Sequence, residues 1–408
     1  MTHLIVIGAG LTGLFAAAHA AERGATVTLV ALGRGGLALS HGCIDVLAVE
    51  PPLEAMSRLD KSHPYVKAGQ KALRSAVEQF LGWMEQEGLP YQGHLEQNLR
   101  LPTALGASHS TCLAPAAQAQ GDLEGKEPVT LAGLAGFRDF STSLAASGLE
   151  RIGVRVANSV ELPLPHQAVV RDHYSIDLAR RFEDKAWREE VARSWKTRLT
   201  GARRVGIPAC LGLTSHPEVW RDMQERLGAL IFEIPTLPPS VPGLRLENAL
   251  RNRALKAGVR LIEGSRALGQ VDGRSGGRRA GGVVIHSAGG PRAIQADAVL
   301  LATGGFLHGG LVARQDGRAQ ESVFDLPVRV NGDRTALTAG SPIEAQPYAT
   351  LGLLVDSRMR PVGARGKAVF ENVFAAGGLL AGSDRSSEGS RQGIDLASAW
   401  RAVESSLT

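Results

Sequence analysis

Cysteine is scarce in this 408-residue chain: only Cys43, Cys112 and Cys210 occur, far apart in sequence. No zinc knuckle, iron–sulfur motif or disulfide framework can be written from them, and the compartment reads as reducing. Aromatic residues are few, at 5%. Neither sign of charge dominates, since 45 Lys+Arg against 40 Asp+Glu leave a formal +5. These charges are dispersed rather than blocked, which describes a solvated surface and gives no indication of nucleic acid. Long apolar runs are also missing. The longest candidate, AVLLATGGFLHGGLVA, is broken by four glycines and His308, so no window reaches the roughly 18 apolar residues of a membrane span. Residues 1–20 imitate a signal peptide, but no Lys or Arg precedes their apolar stretch and their glycines make better sense as a nucleotide-binding turn.

Glycine is in excess, 49 of 408 residues or about 12%, against roughly 7% in average proteins, and no collagen period accompanies it. Tight turns and close backbone approaches to a ligand are the expectation. Apolar content of 44% excludes wholesale disorder, and the length suits two or three domains or one large discontinuous one.

His3 to Ile7 forms a short apolar run that predicts a strand. Gly8-Ala9-Gly10-Leu11-Thr12-Gly13 follows, then an Ala-rich helix to Arg23 and a second strand from Thr26 to Val30. In this β-turn-helix-β setting Gly8 permits the turn, Gly10 lets the backbone approach a phosphate, and Gly13 lets helix pack on strand. The free N–H groups at the helix start then face the anion. One part of the dinucleotide fingerprint is lacking. An Asp or Glu at the end of the second strand normally holds the adenosine ribose, whereas this strand ends Val30-Ala31-Leu32-Gly33-Arg34-Gly35-Gly36. Either the adenosine is held otherwise or there is none. Arg34 suits a phosphate; an ordinary exposed loop arginine is the other reading.

Residues 55–88 read as mostly helical and 105–128 as a loop excursion. Strands at Val129–Leu134, Gly153–Leu162, Val205–Pro208 and Leu230–Ile234 alternate with helices at Asp139–Leu149, from Ser175 past Trp195, and at Pro217–Leu227, as an inserted α/β domain would. The proline-rich stretch from Pro235 marks a boundary, with Ser240 placed to cap the next helix. A strand at Val259–Ile262, glycine-rich β segments and a buried strand ending Ala302-Thr303-Gly304-Gly305 come next. Asn372 to Gly377-Gly378 is another strand breaking into glycines, and a last helix opens with Arg391 and Gly393 and runs through Trp400. Its start offers N–H groups to an anion or ring carbonyl; a plain docking helix is the alternative.

These three glycine sites, in this order, resemble those of the two-dinucleotide-binding-domain flavoproteins. The stretches SHPYVKAG, IPACLGL, PTLPPSVPGLRLENAL, ATGGFLHGGLVAR and ENVFAAGGLLAG look like the B-subunit family of anaerobic, quinone-linked glycerol-3-phosphate dehydrogenase, over nearly the whole chain. The resemblance implies an α/β fold with a Rossmann-like flavin-binding domain, a parallel sheet plus a small β-meander. That domain is expected from residues 1–50, 243–310 and 362–408, with 51–242 and 311–361 forming an inserted substrate or partner domain. It implies flavin contacts at Gly8, Ala9, Gly10, Leu11, Thr12, Gly13, Arg34, Ala302, Thr303, Gly304, Gly305, Gly377, Gly378, Arg391 and Gly393. The resemblance implies FMN as the cofactor, with which the missing acid after Val30 is consistent, since FMN has no adenosine ribose to hold; FAD is the alternative, and no metal is expected.

The implied activity is oxidation of sn-glycerol 3-phosphate to dihydroxyacetone phosphate. Implied partners are a catalytic, FAD-bearing A subunit and a membrane-anchored iron–sulfur C subunit leading to quinone. The implied location is cytoplasmic, held peripherally at the inner membrane through those partners. With three cysteines and no cluster motif, electrons reaching a flavin here cannot leave through a cluster on this chain and call for such a partner; a standalone oxidase delivering them to oxygen is the other reading. Hydride transfer from an alcohol calls for a base and for cations on the phosphate. His308 is a candidate base and Arg245, Arg314 and Arg391 are candidate phosphate ligands; a loop histidine and ordinary ion pairs are the other readings. A fumarate-reductase-like or amino-acid-oxidising flavoenzyme and a non-catalytic scaffold are the alternative functions.

Overall fold

The computed structural model describes residues 1–125, 127–165, 172–272, 278–315, 318–330 and 337–408. The chain divides into two compact units, Met1–Gly36 with Asp45–Trp83 and Leu250–Thr408, and Leu37–Ile44 with Met84–Ala249.

In the first unit, strands β1 (His3–Ile7), β2 (Thr26–Val30), β3 (Arg260–Ile262), β4 (Ala298–Leu301) and β5 (Val373–Ala375) accompany helices α1 (Leu11–Glu22) and α2 (Arg391–Ser406). The sheet runs β3-β2-β1-β4-β5 and is parallel throughout, the order of a doubly wound nucleotide-binding half. Leu4 to Ile7 and Ala298 to Leu301 are continuous buried apolar runs, as expected where helices cover both faces of a parallel sheet. Helix α1 is buried from Leu11 through Ala20, and its alanines leave no polar face for water. An antiparallel meander of Arg266–Asp272, Ala280–Ser287 and Gly290–Gln295 belongs to the same unit.

The second unit has its own four-stranded parallel sheet, ordered Leu230–Ile234, Arg204–Pro208, Val129–Leu134, Val156–Leu162. Its core gathers Phe182, Trp195 and Phe232.

The units divide at different places from those expected. Residues 51–83 join the first unit, because Trp83 packs its ring 5.0 Å from that of Phe15 and donates to Glu22 at 3.2 Å. Residues 311–361 join it too. Their backbone is tied to β5 and the turn beyond it, Ala375 N–H donating to Met359 O and Ala381 N–H to Leu353 O.

The helical stretch 55–88 is interrupted. Pro64 and Gly69 bound a short helix, Pro64–Ala68, before the long one, Gln70–Gln86. The helix expected from Ser175 onward breaks where Asp184 accepts from Ala186 and Trp187 N–H and starts a new one. The expected loop at 105–128 contains two strands, Ser108–Thr111 and Leu113–Pro115, and a helical turn, Ala116–Ala119. Among the described residues no helix is long and apolar enough to cross a membrane.

Candidate cofactor site

The three glycine segments meet because β1, β4 and β5 are adjacent in the sheet. Gly8 leaves β1 with φ +112°, a left-handed conformation that favours glycine, and a methyl group there would run into the Ala302 carbonyl. Gly13, one turn into α1, lies equally tightly on the Gly8 carbonyl. Gly377, just beyond β5, sits against the Thr12 hydroxyl, and a methyl on Gly305 would lie 3.0 Å from Gly378 O. Gly35 brings the loop after β2 onto Ala9 and Gly10. Gly10 differs from all of these, since a methyl added to it meets no protein atom within 4 Å. The start of α1 is therefore closed by backbone on its inner side and open at Gly10.

Neither α1 nor α2 has a side-chain cap bond at its N-cap, Gly10 or Ser390, and neither has an acid in its first turn. The first N–H groups of a helix have no partner within it and carry partial positive charge, a ready site for phosphate. Two polar atoms nearby in sequence are orphaned: Thr303 Oγ1 and Gln392 Oε1 are buried without a hydrogen-bond partner. Buried polar groups are nearly always paired, so an open phosphate cradle with unpaired polar atoms in its motifs fits a flavin nucleotide.

The other residues singled out from sequence fall as follows. Arg34 is exposed on the loop folded against the glycine turn. His308 is exposed, its ring lying against the glycine backbone of Gly36 and Gly304. Arg314 is exposed at the turn between Leu311–Ala313 and Ala319–Glu321, its Nε on Gln320 Oε1. Arg391 opens α2, hydrogen bonded to Ser386 Oγ. Gly393 is buried against Tyr65, and its N–H is already given to Asp45 O at 2.9 Å, so it serves to seat α2.

Arg245 belongs to the second unit and is buried, with its guanidinium on Glu233 at 2.5 and 3.0 Å and on Gly212 O at 2.8 Å. Burial opposes ionisation of Glu233, but Arg245, His216 and the Leu211 N–H together hold the carboxyl below its usual range. This arrangement explains Arg245 as an internal counter-ion.

Sequence reasoning missed two clusters. Arg385 donates to Asp395 and to Arg391 O, both at 2.6 Å, and its guanidinium closes over Gly378. Glu388, which burial would push up, is held below the usual carboxylate range by buried His63 at 3.1 Å and by Ser390. Together they shape the loop leading into α2. No local pattern announces them, because His63 and Glu388 are brought together only by the fold.

Comparison with known proteins gives the family. The family described as FAD binding domain matches residues 3–393. The B subunit of anaerobic glycerol-3-phosphate dehydrogenase from Pectobacterium carotovorum is 31% identical, over 99% of this chain and 98% of the relative. A probable B subunit of the same enzyme from Halobacterium salinarum is 30% identical over 98% of this chain and 96% of its own length. Among solved structures, 3-ketosteroid delta1-dehydrogenase from Sterolibacterium denitrificans is similar at 11% identity with a TM-score of 0.46, covering 99% of each chain. The chain belongs to the flavin-binding oxidoreductases of the FAD binding domain family and, within them, to the B-subunit family of anaerobic glycerol-3-phosphate dehydrogenases.

Proposed function

We propose that this chain is the flavin-bearing B subunit of a respiratory dehydrogenase that oxidises sn-glycerol 3-phosphate to dihydroxyacetone phosphate. The observation that carries the reading is the convergence of Gly8, Gly305 and Gly377 on one open cradle at the start of α1. When bound, a flavin supplies the two-electron acceptor for the carbinol hydrogen. The Gly8–Gly13 turn and the first N–H groups of α1 receive its phosphate, while Thr303, Gln392 and the start of α2 receive its polar edges. His308, exposed against Gly36 and Gly304, is the base in this reading, and Arg314 and Arg391, on the same unit, are the cations for the substrate phosphate. FAD is the form we favour, in keeping with the family; FMN is the alternative suggested by the missing acid after Val30.

All three cysteines are buried thiols, so a cluster-bearing partner takes the electrons onward. We infer association with a catalytic A subunit and a membrane-anchored iron–sulfur C subunit, and hence a peripheral position at the cytoplasmic face of the membrane. The test is anaerobic addition of glycerol 3-phosphate to the purified chain, alone and assembled with its partners. Flavin bleaching by glycerol 3-phosphate, and not by succinate or aspartate, is expected. Bleaching by succinate or aspartate instead would assign another substrate, and a flavin that never bleaches would leave a scaffold role.

A further inference from the structure

We propose that Glu263 replaces the carboxylate missing after β2, and that this chain thereby accepts a dinucleotide flavin by holding its adenosine ribose hydroxyls. The inference rests on the flavin reading and specifies it further. Strands β2 and β3 are parallel neighbours with Ile262 level with Val30. Ala31 N–H donates to Ile262 O at 2.9 Å and Ser265 N–H to Ala31 O at 3.1 Å. Glu263 follows Ile262 directly, so it stands beside Ala31, where a ribose-binding acid would otherwise follow the second strand. The acid is supplied from the adjacent strand.

The carboxylate is also built as an acceptor. Arg251 grips it with two nearly equal bonds, 2.6 Å to Oε1 and 2.7 Å to Oε2, which fixes its plane. An ionised carboxylate has about four lone-pair sites, so two remain for vicinal hydroxyls. The Arg251 hydrogen bonds, assisted by the charges of Arg251 and Arg34, hold Glu263 below the usual carboxylate range, and its side chain is 35% exposed, open to a ligand. Arg34 stands at the same end, next to the Gly35 contact with the glycine turn. Acceptor for ribose, cation and bare helix N–H groups for pyrophosphate thus belong to the carboxyl ends of the neighbouring strands β3, β2 and β1. FMN, which lacks the adenosine, would make no use of Glu263.

The test is titration of the full-length chain, stripped of cofactor, with FAD and with FMN, following quenching of flavin fluorescence. Wild type is expected to prefer FAD. Glu263→Ala should lose about 10- to 100-fold in FAD affinity, the size of a lost hydrogen bond to a charged group, with FMN affinity unchanged. Glu263→Gln, which keeps shape and one acceptor, should lie between. FMN binding as tightly as FAD in wild type, unchanged FAD affinity in Glu263→Ala, or equal weakening of both flavins would each overturn the inference while leaving a flavin site intact. Binding of neither flavin by wild type would overturn the underlying reading as well.

Discussion

At the scale of single residues, Gly10 and Gly13 make opposite demands although they share one motif. A methyl on Gly10 meets no protein atom within 4 Å, whereas one on Gly13 overlaps the Gly8 carbonyl. Gly10→Ala is therefore expected to melt like wild type yet lose flavin affinity at least about tenfold, because the methyl occupies the phosphate cradle. Gly13→Ala should lose both stability and flavin. Thermal melting and flavin titration on the two variants separate these outcomes. Arg245 gives a contrasting case. Its substitution by Ala leaves Glu233 buried without its counter-ion, which costs about 3–5 kcal/mol and should appear in denaturant unfolding rather than as a selective rise in KM for glycerol 3-phosphate. The glycine motif is legible because its physics is local to a few consecutive residues. Arg245 is not, because its partner lies on another element and only burial reveals that the pair is internal.

At the scale of elements, β1, α1 and β2 are readable from sequence because strand, turn and helix each carry their own pattern. Short strands such as Ser108–Thr111 are not, since their small polar residues hydrogen-bond a neighbour that no local period reveals. The breaks at Pro64 and Asp184 are local signals that an apolar helical spacing overrode. The seating of α2 can be tested directly. Gly393 lies against the Tyr65 hydroxyl, which donates to Val46 O at 2.8 Å. Gly393→Ala should destabilise the first unit, and adding Tyr65→Phe should recover part of the loss despite removing that hydrogen bond. A double-mutant cycle by thermal melting measures the coupling; additive losses would mean that the hydroxyl is not the obstacle.

At the scale of the whole molecule, acid bears on stability through a buried histidine of the second unit. His216 in the second unit is buried, with Nδ1 2.7 Å from Leu211 O, and burial, reinforced by Arg245, lowers its pKa from 6.5 to about 4. The unfolded chain takes up this proton first as pH falls, so stability rises with pH between about 4 and 6.5 and is lost on acidification through that window. Melting of the full chain at pH 7 and pH 5 should show the decline, and His216→Gln should reduce it.

The division into units was the least legible feature, since residues 51–83 and 311–361 are assigned by contacts with Phe15, Glu22 and β5 that lie far off in sequence. The central claim is that three distant glycine segments build one flavin site. Its most direct measurement is the absorption spectrum of the purified chain, followed by heat release of the chromophore and determination of its mass. A flavin, with the mass of FAD or of FMN, is the result the account predicts. A colourless protein, or one releasing only a nicotinamide nucleotide, would contradict it.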